Sequence, residues 1–164
     1  MIRKTMFKFK KLFESIGLLV LSLILVVVFL FIYYFIQSLI PAKTKKTEVK
    51  IKGQIFISSL AETPSQRQKG LSGLKRLEEN EGMLFVFRDK KIRTFWMKDV
   101  NFGLDIIFID GDKIVDTTTL KKSVGKNIPS YISKKPADKV LEINAGMVDK
   151  IGMKIGDKIE IKNF

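Results

Sequence analysis

The sequence predicts a small, mostly β domain of the α+β type, barrel-like and carrying two short helices, behind one membrane-spanning helix. Three observations predict it. Ile16 to Ile36 form an uncharged run of 21 residues. The rest of the chain breaks into about seven short apolar or alternating runs separated by turn signals. Those runs lack the regular βαβ alternation that a parallel sheet with covering helices needs.

The uncharged run comes first. At about 1.5 Å per residue it spans a hydrocarbon core of roughly 30 Å. A core helix of a soluble protein needs a polar face, and this run has none. Tyr33 and Tyr34 fall where an interfacial aromatic belt sits. The run is longer than the apolar stretch of a secretory signal, and only Ala42 offers a small residue for cleavage. The expectation is an uncleaved anchor. Arg3, Lys4, Lys8, Lys10 and Lys11 precede it; Lys43, Lys45, Lys46 and Lys50 follow. With the α-amino group, that balance favours a cytoplasmic N-terminus and an extracytoplasmic soluble part.

The expected organisation is a basic tail over 1–15, the span over 16–36, a polar linker over 37–47 ended on its helix side by Pro41, and a globular domain over 48–164. In "EVKIKGQIFIS", Val49, Ile51, Ile55 and Ile57 alternate with polar residues, which reads as one half-buried strand. Gly53 then suggests a bulge or a close backbone approach. "TPSQRQKG" carries Thr63 as N-cap, Pro64 at the first helical position and Gln66 completing a capping box, with Gly70 as the stop. "MLFVF" at 83–87 is apolar on both faces and suits a central strand. "RTFWMK", "LDIIFI", "KIVDTTTL", "KVLEINA" and "GDKIEIK" are further strands, with a hairpin signalled by Asp110–Gly111. Residues 121–136 are rich in Lys, Ser, Gly and Pro and read as a long loop, and "GMVDKIG" as a helical turn or two.

Composition narrows the chemistry. The chain has no histidine and no cysteine. That removes disulfides, thiolate nucleophiles, imidazole bases and the usual zinc ligand sets. Residues 43–164 hold 25 Lys/Arg and 16 Asp/Glu, net +9, but the lysines are scattered among acids. Such scatter reads as a solvated surface, so nucleic acid is not the expected partner. No cofactor and no metal are expected, and the oligomeric state is not legible.

Five side chains stand out. In "TFWMKDV", strand alternation puts Phe95 and Met97 inward and Trp96 beside Lys98 on the other face. An indole offers stacking area and a donor, so the pair is either a core edge or a ligand-contacting wall. Asp105 and Glu142 interrupt apolar strands, where a carboxylate is costly unless paired or hydrogen-bonded. Asn144 shares a face with Glu142. If Trp96, Lys98, Asp105, Glu142 and Asn144 converge, they make a ligand site, an acid–base pair, a buried ion network or a set of oxygen ligands for a hard cation; Arg93 is a further candidate. The "NAGMV" stretch opens a helix whose free N–H groups suit an anion. The serines near lysines at 123–133 and the "SVGK" segment carry no chemistry.

The blocks "RQKGLSG", "EGMLFVF", "FWMKDV", "LDIIFID", "KPADKVLEINAG" and "IGMKIGDKIEI", in this order, resemble the domain of unknown function 192 family of bacteria and archaea. The resemblance covers about 48–162 and implies a small β-rich, barrel-like domain, often behind a signal or anchor, with no established activity. Trp96, Lys98, Asp105, Glu142 and Asn144 fall on positions typical of it. The chain departs from the pattern at Leu74, where an arginine is usual, at Asp99–Val100, where Asn-Thr is usual, and at Gly103, where a proline is usual. Arg76 is the nearest substitute for the missing arginine. Three functions remain open: a membrane-anchored binding or accessory module for a small polar or envelope ligand, an envelope enzyme using paired carboxylates, or a structural or protein-interaction module.

Overall fold

The structure, a computed structural model, describes residues 2–39 and 44–162, with side chains over 17–36 and 44–162. It divides into an N-terminal unit and a second unit that begins at Thr44. The first is helix α1, Ile2–Leu39, which runs through the basic tail as well as the apolar span. Its stretch Gly17–Ile36 has a mean hydropathy of 3.0, long and apolar enough to cross a membrane. Its side chains are exposed throughout, so no protein core accounts for its apolarity. Ser22 Oγ donates to the carbonyl of Leu19 at 2.8 Å, so the one hydroxyl near the start of this stretch is satisfied within the helix. The helix-stop expectation at Pro41 and the cleavage candidate Ala42 lie outside the described residues.

The second unit is mostly β. Its elements are β1 (Lys46–Ile51), β2 (Gln54–Ala61), α2 (Pro64–Lys69), β3 (Glu81–Lys91), β4 (Thr94–Trp96), β5 (Leu104–Asp110), β6 (Lys113–Leu120), β7 (Ser130–Ile132), β8 (Ala137–Asn144), α3 (Met147–Lys150) and β9 (Ile159–Lys162). Seven strands form one curled sheet in the order β6-β5-β8-β3-β2-β1-β9, and β4 pairs with β7 in a separate ribbon. Among the described residues only β2 and β3 pair in parallel; α2 lies in the crossover between them. The capping box forms as expected: Gln66 N–H donates to Thr63 Oγ1 at 3.2 Å and Thr63 N–H to Gln66 Oε1 at 2.9 Å.

Two expectations are corrected. Residues 48–58 are not one strand but the hairpin β1–β2, turned by Lys52 and Gly53 with φ of 49° and 87°. Two consecutive positive φ values define the tight turn whose twist matches its strands. A Cβ on Gly53 would meet nothing, so the glycine answers φ and not a close approach. The turn also shifts the phase of the alternation: Val49 and Ile51 are buried, but on β2 the alternating buried residues are Phe56, Ser58 and Leu60, followed by Ala61, and Ile55 is exposed. The long loop 121–136 contains β7, a strand too short to show periodicity, held by β4 across Phe95↔Tyr131. Nine strands therefore stand among the described residues.

The sheet has an apolar layer on each face. Inside the curl, Val49, Ile51, Phe56, Ile107, Leu141 and Ile143 pack with Met147 and Met153. On the other face, Leu71, Phe85, Met97, Leu104, Ile106, Phe108 and Val140 pack under the β4–β7 ribbon and the segment after α2. Phe85, Phe95, Phe108 and Tyr131 link ribbon to sheet through ring contacts of 4.9–5.9 Å. Central strands covered on both faces are apolar on both, which is why "MLFVF" and, apart from Asp105, "LDIIFI" lack alternation.

Candidate functional site

A cavity of about 370 Å³ opens on the outer face of the sheet, between the end of α2, the end of β3 and the β4 ribbon. Its volume lies at the lower end of the range for small-molecule sites. Phe85, Leu71 and Val100 form its apolar wall, Trp96 its rim, Arg67 and Arg93 one end, and Glu142 its floor.

Glu142 comes from β8, where Val140 and Glu142 alternate outward and Leu141 and Ile143 inward. Its register partners are Met83 on β3 and Ile106 on β5, both apolar. The residue is 4% exposed and has no hydrogen-bond or ion-pair partner among the described residues. Burial alone pushes its carboxyl up to about 8, because desolvation penalises the charged form. At neutral pH it is a protonated acid with a donor and acceptors turned to the cavity.

Arg67 is placed by the capped helix α2. Its Nη1 donates to the carbonyls of Glu62 at 2.6 Å and Val86 at 2.9 Å. Arg93 follows β3; its Nε donates to Ala137 O at 3.1 Å, and its Nη2 pairs with Asp89 Oδ1 at 2.8 Å. The bond from Arg93 and one from Lys91 lower the Asp89 carboxyl to about 2. Both guanidinium groups approach the ring of Phe87, Arg93 at 3.8 Å and Arg67 at 5.1 Å from its centroid. Arg67 has no carboxylate partner among the described residues, and neither has Lys69, which also lines this end.

The five residues singled out in the sequence separate. Trp96, 57% exposed, and Glu142 meet in the cavity. Lys98 does not: it follows β4 on the surface, and its main-chain carbonyl accepts from Ser72 Oγ at 2.7 Å. Asn144 uses its amide to hold the segment after α2, donating to Leu77 O at 3.1 Å and Glu78 O at 2.9 Å. Asp105 lies opposite Ile143 on β8, so it points to the face of the sheet away from Glu142. It is fully buried and accepts from Thr119 Oγ1 at 2.7 Å and from Val148 N–H at 2.8 Å. That second bond corrects another expectation: the amide that "NAGMV" offers to an anion is occupied by Asp105. Neither Leu74, where the family pattern has an arginine, nor Arg76 lines the cavity; Arg76 pairs with Glu78 at 2.7 Å on the surface.

Sequence reasoning missed Arg67 as a site residue; the one signal was its place in a strongly capped helix. It also missed Asp116, a buried carboxylate that accepts from Lys134 N–H at 2.7 Å and Tyr131 OH at 3.1 Å and fixes the β7 ribbon. Burial, and then that hydrogen bond to Asp116, raise the Tyr131 hydroxyl above its usual range.

The family model described as Uncharacterized ACR, a domain of unknown function, matches residues 47–161. The chain belongs to the domain of unknown function 192 family. Two solved structures share its fold at 31% identity. One is a Sinorhizobium meliloti protein provisionally described as a transcription regulator, with a TM-score of 0.65 over 74% of this chain and 97% of that one. The other is a protein of unknown function from Novosphingobium aromaticivorans, with a TM-score of 0.62 over 74% of this chain and 89% of that one. None of the curated proteins matches the chain. Within the family pattern, Asp99 now has a conformational account. It sits at φ 56°, a left-handed conformation that Asn and Asp tolerate better than other side chains, and its carbonyl accepts from Gly73 N–H at 2.9 Å. The departure from asparagine keeps that turn.

Proposed function

We propose that the β domain is a binding module for a small polar ligand, taken into the Trp96–Glu142 cavity and held at the outer face of a cell membrane by α1. The observation that carries the reading is Glu142. The residue is 4% exposed, and its carboxyl lines the cavity without a bond from the described residues, so what access it keeps is to the space a ligand would fill. A ligand with a complementary group supplies the missing bond. The exposed indole of Trp96 supplies a stacking surface at the entrance. The paired-carboxylate enzyme would need Asp105 and Glu142 at one substrate, whereas their side chains leave the sheet on opposite faces.

Trp96 is the only tryptophan, so it reports the site directly. The full chain in detergent is titrated with sugars, peptidoglycan fragments, nucleotides, metal ions and anionic lipids while its emission is recorded. The expected outcome is a saturable shift with one compound class, weakened at least tenfold by Glu142→Gln. Emission that no class moves would overturn the binding reading.

A further inference from the structure

The two ends of the cavity ask for opposite charges. Arg67 uses only Nη1 within the protein, leaving Nε and Nη2, and it has no carboxylate partner among the described residues. Lys69 beside it is likewise unpaired. A ligand anion completes that end, where a guanidinium makes its strongest hydrogen bonds. At the floor, Glu142 is surrounded by Met83, Ile106 and apolar walls. The other charged groups facing the cavity are Arg67, Lys69 and Arg93; Asp105 and Lys139 belong to the opposite face. A ligand cation is the partner that turns this neutral acid into a stabilised carboxylate. A wholly anionic ligand leaves the floor unmatched, and a wholly cationic one meets the arginines.

Strand register sets the distance between the two groups. Arg67 is bonded to Val86, and Glu142 is paired with Met83, three residues back along β3. Three strand residues span about 10 Å. Less a contact of about 2.8 Å at each end, about 4–5 Å is left between the ligand charges along the strand, and the sideways step of about 4.8 Å from β3 to β8 lengthens it. In a free α-amino acid the amine and carboxylate are only about 3 Å apart, and one added residue contributes roughly 3.5 Å.

We infer that the cavity takes a short zwitterionic peptide of dipeptide size, its carboxylate at Arg67 and its free amine at Glu142, with its side chains against Phe85, Leu71 and Trp96. This rests on the cavity being the binding site proposed above.

The test uses the full chain in detergent at pH 7 and four probes: L-alanyl-L-alanine, its N-acetyl form, its C-terminal amide and L-alanine. Trp96 emission reads affinity, and calorimetry in two buffers of different ionisation enthalpy reads protons exchanged. The dipeptide is expected to bind and to release close to one proton per site as Glu142 ionises. Each blocked form and L-alanine should bind at least tenfold more weakly, and the N-acetyl form should release no proton. Glu142→Gln should keep the thermal midpoint at or above that of the natural chain and release no proton. Arg67→Gln should bind the dipeptide and its amide alike, a result that a merely structural arginine would not produce. Equal affinity for the N-acetyl form, or binding without proton release, would overturn the peptide assignment. So would silence of the dipeptide; if another compound class shifts Trp96, the cavity still stands as a binding site, and if no class does, both readings fall together.

Discussion

Glu142 sets a pH dependence of its own. Its carboxyl titrates at about 8 in the folded chain against 4.5 when unperturbed. Between those values the unfolded chain is ionised and the folded chain keeps its proton, so stability falls as pH rises across that window. Below pH 4.5 both states are protonated and nothing is lost; above pH 8 the penalty is complete, on the order of a few kcal/mol. Glu142→Gln removes the titration and keeps the shape. The variant should therefore melt at nearly the same temperature as the natural chain at pH 4.5 and several degrees higher at pH 8.5. Thermal scans at the two pH values check this, and a constant difference between them would mean that the folded carboxyl is not raised.

At the scale of elements, Asp105 ties three together: it stands on β5, accepts from Thr119 on β6 and caps Val148 on α3. Asp105→Ala takes the acceptor from the half-buried Val148 amide and leaves a void in the core, while the exposed Thr119 hydroxyl can turn to water, a loss of about 1–3 kcal/mol. Urea unfolding should show it as a lower midpoint with an unchanged slope, and ligand binding in the cavity should persist because the residue faces away from it. Gly82 makes a second test. It lies between Ser58 and Ile143, and a Cβ there would sit 2.8 Å from the carbonyl of Glu142 and 3.1 Å from both Ser58 Oγ and Ile143 Cγ2. The carbonyl belongs to the neighbouring strand and cannot swing aside, so Gly82→Ala should cost about 1–3 kcal/mol by the same measurement. Elements whose signals are local were legible in the sequence: the Thr63–Gln66 box, the Asp110–Gly111 region and the doubly apolar central strands. The phase of β2 and the strand β7 were not, because a turn resets alternation and a three-residue strand is defined only by its partner. The site was half legible for the same reason. That Asp105 and Glu142 are odd can be read from each strand alone. That they leave the sheet on opposite faces is a matter of register between strands, and that Arg67 reaches Val86 depends on the β2–α2–β3 crossover.

For the whole molecule, the proposed anchoring by α1 raises one question with a sharp answer: which side of the membrane holds the β domain. Five basic side chains and the α-amino group precede the span, and four lysines follow it. Of those four, Lys45, Lys46 and Lys50 pair with Glu62, Glu81 and Glu160 at 3.2–3.3 Å once the domain folds. Pairing withdraws them from an anionic inner leaflet, whereas the upstream cluster has only Glu14 near it in sequence. Both effects favour a cytoplasmic N-terminus. The absence of cysteine makes the test clean, because a single introduced thiol is the only one in the chain. Thr5→Cys places it before the span, and Lys126→Cys places it on the exposed segment between β6 and β7. In intact cells a membrane-impermeant maleimide should label the Lys126→Cys chain and spare the Thr5→Cys chain until the membrane is opened. Both should stay in the pellet after alkaline carbonate, since a span of mean hydropathy 3.0 is not held by charge. The reverse labelling pattern would put the domain inside the cell, and release of both chains into the carbonate supernatant would mean that α1 does not anchor the protein.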